Sequence, residues 1–207
     1  DSRIGDRFLN AGPGFGGSCF KKDILNLTYI CDFYGLKEVS NYWQTVIDIN
    51  NWQRDRISRI IVEKLFGSLS GKKIGILGFS FKANTNDTRE SPAIEICKNL
   101  IKEGGELQIY DPKVSLNDIE KDLNVSQKKY SPEDSGGWHI TKSIEEASNN
   151  ADALVILTEW DEFKKLDWMK ISKLMRSPSW IFDTRLITDT TQASKYGINI
   201  WKIGSGF

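Results

Sequence analysis

Along the first third of the chain, apolar residues return at helical spacing. Ile24, Leu27, Ile30 and Cys31 do so across 23–33, and Val39, Tyr42, Trp43, Val46, Ile49, Ile57, Ile60, Ile61 and Leu65 across 38–66. A 3.6-residue period predicts two amphipathic helices, the first stopped by Gly35, since glycine accepts the left-handed conformation that closes a helix. The second span contains neither Gly nor Pro and as one helix would run about 43 Å. Asn50, Gln53 and Arg54 dilute its stripe. That dilution predicts a bend, a passage between domains, or polar contact with a partner subunit.

After the glycines at 67 and 71 the pattern changes. Short apolar runs at 72–78, 107–110, 153–157 and 180–182, with an edge candidate at 198–203, suit buried strands. Helical patterns at 91–103, 143–150, 167–175 and 189–195 separate them, and 115–138 reads as a polar, irregular excursion containing Ser131-Pro132 and Gly136-Gly137. Strand–helix alternation predicts an α/β fold, a helical segment followed by a Rossmann-like, doubly wound parallel sheet. The expected division is 1–68 for the glycine loop and helices and 69–207 for the sheet domain.

Composition narrows the function. The 207 residues carry 28 basic and 28 acidic side chains, so there is no electrostatic footprint for nucleic acid or an anionic membrane. No apolar run approaches the ~20 residues of a membrane span. No basic-then-apolar leader opens the chain. Cys19, Cys31 and Cys97 lack the paired spacing of a disulfide framework or zinc site, and a cytoplasmic setting is expected. The opening Asp1-Ser2-Arg3-Ile4, without Met, reads as a start inside a larger polypeptide.

In an open parallel sheet, ligands sit outside the carboxyl ends of the strands. Polar segments follow three predicted strands there: 80–90, Asp111-Pro112 and Asp183-Thr184-Arg185. Phe81 and Lys82 precede a helix opened by Ser91 as cap and Pro92 in the first turn. With Arg185, that helix start suits an anionic, phosphate-bearing ligand. Gly75 and Gly78 lack the third glycine of a dinucleotide fingerprint, so NAD is not assigned to this sheet despite Asp111. The glycine-rich loop around Pro13 leads through Ser18 to Cys19, Phe20, Lys21, Lys22 and Asp23 at the mouth of the first helix. A cysteine in such electropositive surroundings is a candidate nucleophile, and Asp23 a candidate to orient water. Cys31 and Cys97 read as small core residues, and His139 as structural.

The string from Gly12 to Asp23 (GPGFGGSCFKKD) resembles the catalytic-cysteine motif of the UDP-glucose/GDP-mannose dehydrogenase family. Further matches follow in family order: Gly78-Phe79-Ser80-Phe81-Lys82, Asn86 to Ser91, Tyr110-Asp111-Pro112, Thr158-Glu159-Trp160 and Phe182-Asp183-Thr184-Arg185. Ser18 and Phe20 around the cysteine favour the UDP-glucose members, while Lys21 and Asn84 depart from the common pattern. The resemblance implies oxidation of a primary alcohol to a carboxylate in two NAD-dependent steps. Cys19 would carry a thiohemiacetal and then a thioester, and Asp23 would support the hydrolytic water. It further implies substrate contacts from Arg3, Asn10, Gly14, Phe15, Gly16, Phe81, Lys82 and Arg185, with Arg3 reaching across a homodimer. Cofactor contacts are implied for Cys19, Phe20, Lys21, Lys22 and Arg89. The main NAD-binding domain and several catalytic residues precede the cysteine loop in the family, so this chain is expected to be inactive alone. A GDP-mannose or UDP-aminosugar specificity, or a non-catalytic sugar-nucleotide-binding module, stands as the alternative.

Overall fold

The computed structural model describes residues 10–127 and 136–205. Arg3 and Ser131-Pro132 lie outside them.

Helix α1 (Phe20–Phe33) ends where the sequence places its stop. Gly35, at φ 73, donates to Asp32 O, and Leu36 donates to Cys31 O at 2.8 Å, the pair of closing bonds that satisfies a helix's last carbonyls. Helix α2 (Lys37–Lys64) is continuous over 28 residues, about 42 Å at 1.5 Å per residue. Its apolar stripe splits in two. Ile57, Ile60, Ile61 and Leu65 are buried in the core, whereas Val39, Tyr42 and Ile49 face solvent.

Then follow β1 (Lys73–Leu77), α3 (Pro92–Lys102), β2 (Glu106–Tyr110), α4 (Leu116–Leu123), β3 (Gly137–Ile140), α5 (Ile144–Ser148), β4 (Ala153–Ile156), a short 3-10 turn (Asp161–Lys165), α6 (Trp168–Leu174), β5 (Trp180–Asp183), α7 (Thr190–Lys195) and β6 (Asn199–Lys202). The sheet order is β3-β2-β1-β4-β5-β6 with every pairing parallel. This is the doubly wound arrangement, reversing direction between β1 and β4. Successive strand residues point to opposite faces, giving two cores. Ile74, Ile76, Leu107, Ile109, Val155 and Phe182 join α2, α3 and α4 on one side. Leu154, Ile156 and Ile181 join Phe163, Ile171 and Ile198 on the other.

The region expected to be irregular holds two elements. Helix α4 is capped by Ser115, whose Oγ accepts from Asp118 N at 3.3 Å, and it buries Ile119 and Leu123. Acidic and basic residues between those two apolar positions hide the period. Strand β3 is only four residues long, opens on glycine, and borrows its stability from parallel pairing with β2.

Candidate functional site

The glycine loop lies in the angle between α2 and the segment that follows β1, and three side chains of α2 hold it there, Gln53 donating through Nε2 to Gly12 O at 3.4 Å. Asn50 accepts from Phe15 N at 2.8 Å and donates back to Phe15 O at 3.2 Å. Arg54 Nη2 donates to Phe15 O at 2.8 Å and to Glu90 O at 3.1 Å. Asn50 and Arg54 are buried. Gly17 N adds a bond to Arg89 O at 2.8 Å, and Lys21 pairs with the Glu90 carboxylate at 2.8 Å. Glycine is required where the surfaces meet. A Cβ on Gly16 would stand 2.5 Å from Glu90 O, and Gly14, at φ +126, would place one 2.7 Å from Asn50 Oδ1.

The loop delivers Cys19 to the N-cap of α1. Its thiol is exposed, in contrast to the buried Cys31 and Cys97, and Ser18 Oγ is 3.7 Å away. Burial pushes the Cys97 thiol well up, leaving it an inert core residue. Asp23 lies one turn further on, its backbone N–H bonded to Cys19 O at 2.9 Å, with its side chain exposed. Phe20 stacks edge-on against Phe15 at 4.7 Å. Arg89 bonds Asp87 through Nη2 at 2.6 Å and Nε at 2.9 Å. The Asp87 carboxylate raises the Arg89 guanidinium above its ordinary value, with a smaller contribution from Cys19.

The opposite wall is built at the switch point of the sheet. Gly78, at φ +94, is pressed against Thr158 after β4, so the two strand-end loops touch. Asp111 is a buried staple. Its Oδ2 accepts from Phe79 N at 2.7 Å, Ser80 N at 3.0 Å and Trp160 Nε1 at 3.3 Å, and its Oδ1 from Lys113 N and Val114 N. With both oxygens committed, it has no resemblance to a ribose ligand, in line with the missing glycine fingerprint. Asp183 does the same after β5, accepting from Arg185 N, Ile187 N and both donors of Thr188. Ser91 caps α3 and donates to Phe79 O at 2.7 Å.

Arg185 is thereby aimed inward. Its Nε donates to Leu157 O at 2.8 Å, its Nη2 to Phe81 O at 3.3 Å, and its Nη1 lies 3.3 Å from Glu159 Oε2. Burial pulls its pKa down, and Glu159 partly offsets that. Lys82 is exposed, its Nζ 5.2 Å above the Phe81 ring.

Between the walls lies a cleft of about 840 Å³, within the range of small-ligand sites. Asn10, Gly14, Phe15, Gly16, Phe81, Lys82 and Arg185 all line it, so the described residues singled out from the sequence for substrate contact converge on one cavity. Cys19, Phe20, Lys21, Lys22, Asp23 and Arg89 are not on its wall. They group around the start of α1. Arg3 lies outside the described residues. Sequence reasoning missed Asn50, Arg54, Glu159 and Lys164 as parts of this neighbourhood. For the first two a signal existed: polar residues four apart in the line of buried Ile47, Ile57 and Ile61.

Residues 75–190 match the family model described as "UDP-glucose/GDP-mannose dehydrogenase family, UDP binding domain", and residues 1–52 match the same family's central domain. The chain is 46% identical over 213 aligned residues to UDP-glucose 6-dehydrogenase 3 of Oryza sativa subsp. japonica and to UDP-glucose 6-dehydrogenase 4 of Arabidopsis thaliana, with 99% of this chain aligned in each case. It spans 44% of the length of each. Among solved structures, the UDP-glucose dehydrogenase of the archaeon Pyrobaculum islandicum superposes with a TM-score of 0.72 at 28% identity, over 98% of this chain and 40% of that one. A GDP-mannose dehydrogenase from Pseudomonas aeruginosa shares the fold at 22% identity and TM-score 0.70, over 98% of this chain and 42% of that one.

Proposed function

Because this chain belongs to the UDP-glucose/GDP-mannose dehydrogenase family, we propose that it forms the cysteine-bearing, nucleotide-binding half of an NAD-dependent UDP-glucose 6-dehydrogenase. The observation that carries this is the cleft in which the glycine loop before Cys19 faces Lys82 and Arg185. It joins a nucleophile's loop to an anion-binding wall.

Lys82 and Arg185 supply positive charge for the diphosphate, and Phe81 an aromatic face beside it. Asn10, Gly14, Phe15 and Gly16 close over the sugar side, with the glycines letting backbone approach the ligand. When bound, two molecules of NAD+ in turn would supply the acceptor for the two hydrides that leave the sugar's C6. At the aldehyde stage the Cys19 thiolate adds to C6 to give a thiohemiacetal, and loss of the second hydride leaves a thioester. Asp23 then orients a water, whose oxygen forms the new C–O bond as the C–S bond breaks, releasing carboxylate and thiol. Arg89, with most of its side chain exposed, and the backbone N–H groups of Phe20, Lys21 and Lys22 in the first turn of α1 form a surface beside Cys19 that fits an anionic dinucleotide. We place the protein in the cytoplasm, on the strength of its three unpaired thiols.

The assembled enzyme is proposed to be at least a homodimer. Tyr29, Ile30, Phe33, Tyr34 and Tyr42 stand exposed on α1 and the first half of α2, an apolar surface of the kind proteins bury against a partner. Among the described residues, no helix is long and apolar enough to cross a membrane.

Calorimetry with UDP, UDP-glucose and GDP tests the cleft, with selective binding of the uridine nucleotides expected. GDP preference would move the assignment to a guanosine-sugar substrate, and no nucleotide binding would overturn it. Residues 1–207 alone are expected to yield no UDP-glucose-dependent NADH.

A further inference from the structure

Arg54 is an expensive residue where it stands. It is 6% exposed on the buried face of α2, in line with Ile47, Ile57 and Ile61, and desolvation lowers its pKa, offset only through space by Glu90, Glu95 and Asp55. A buried cation costs stability unless its donors are well used. Here the use is specific. One nitrogen, Nη2, binds two main-chain carbonyls that belong to opposite walls of the site: Phe15 O of the glycine loop and Glu90 O at the end of the loop after β1. Among the described residues its Nε has no acceptor. Glu90 adopts φ 55, an unfavourable conformation for a non-glycine residue, which turns its carbonyl toward the loop.

We infer that Arg54 is a positioning residue that couples the nucleotide cleft to Cys19, by fastening the cysteine loop to the strand-end loop that carries Phe81 and Lys82. The inference rests on the proposed nucleotide site. Cys19 does not line the cleft, so UDP alone, which lacks the sugar that meets the thiol, influences Cys19 only through the loop. With Arg54 in place, closing the cleft also fixes the loop's exit into α1. Without it, the nucleotide still has Lys82 and Arg185, but the thiol no longer registers its arrival.

The test is the rate of Cys19 alkylation by iodoacetamide in the 207-residue chain, followed by intact mass with and without saturating UDP. Buried Cys31 and Cys97 stay silent. In the wild-type chain UDP is expected to change the Cys19 rate by about fivefold or more, the lower end of ordinary site–site coupling. In Arg54→Met that ratio collapses toward one, while calorimetry still detects UDP. Arg54→Lys keeps the buried cation without the planar fork and gives an intermediate ratio, which also serves should the Met variant fail to fold. A wild-type ratio in either variant would overturn the assignment. So would wild-type UDP binding with no change at Cys19. Absence of UDP binding in the wild-type chain would instead remove the nucleotide site itself, and this inference with it.

Discussion

Replacing Gly16 by alanine inserts one methyl group at the seam between the two walls of the site. The new Cβ would lie 2.5 Å from Glu90 O, 3.1 Å from Glu90 C and 3.1 Å from Phe81 Cβ. The nearest obstacle is main chain, which cannot swing aside as a side-chain tip could. Glu90 O is also an acceptor for Arg54, and its neighbour Arg89 O an acceptor for Gly17 N. Forcing a methyl into a packed interface costs about 1–3 kcal/mol, and each of those two hydrogen bonds is worth about 1 kcal/mol. Relief therefore comes by undocking the loop at a cost near 2 kcal/mol. UDP must repay that cost to close the cleft, so its affinity should fall about 30-fold, since 1.4 kcal/mol is tenfold. The sheet is untouched, so the melting temperature should drop by only about 4–8 °C, at 2–4 °C per kcal/mol for a chain of this size. Titration calorimetry and thermal melts by circular dichroism measure both. Wild-type UDP affinity in Gly16→Ala would refute the claim that the loop's contact with Glu90 builds the cleft.

Asp111→Ala leaves Phe79 N, Ser80 N, Lys113 N and Val114 N without their acceptor. Urea denaturation should show a loss of about 4 kcal/mol, because each orphaned buried donor costs about 1–3, whereas a loss below about 1 would mean water substitutes freely. Burial lowers the His139 pKa from 6.5, with Lys73 adding to the effect and Glu146 opposing it. The unfolded chain therefore binds the proton more readily, and stability falls as pH drops through 6.5 toward the folded value. In thermal melts between pH 5 and 8, His139→Gln should flatten that decline, and an unchanged slope would assign it elsewhere. Sedimentation should reveal self-association that weakens when Phe33 and Tyr29, exposed and stacked at 6.5 Å, are changed to Glu and Lys. Undiminished association would place the interface on another face.

The sheet was readable because buried parallel strands are continuous apolar runs bounded by turns, and β1, β2, β4 and β5 have that form. Strand β3 and helix α4 were hidden for opposite reasons. One is too short to show a period, and the other carries its charge between its two buried positions. The meeting of Lys82 and Arg185 at one cleft was legible because their chemistry is concentrated in strand-end loops. What the sequence could not display was the pairing of Asn50 and Arg54 with main chain some 35 to 39 residues away. Their polarity looked like a weakness in a helix. It is instead the footprint of the loop that lies on it, because a backbone arriving from elsewhere needs donors and acceptors that only folding reveals. Asp111 shows the converse, a well-placed carboxylate whose every lone pair is taken by its own chain.

Helix α2 also bears on how this polypeptide can be divided. The change in composition at residues 67–71 invites a cut there, yet Ile57, Ile60, Ile61 and Leu65 lie upstream of it and sit inside the sheet's core. At about 1.5–3 kcal/mol for each large aliphatic side chain, severing them would forfeit roughly 6–12 kcal/mol, comparable to the entire stability of an ordinary domain. A sheet domain prepared for crystallisation should therefore begin near residue 50. Trimmed at residue 69 instead, it would expose a greasy trough and precipitate.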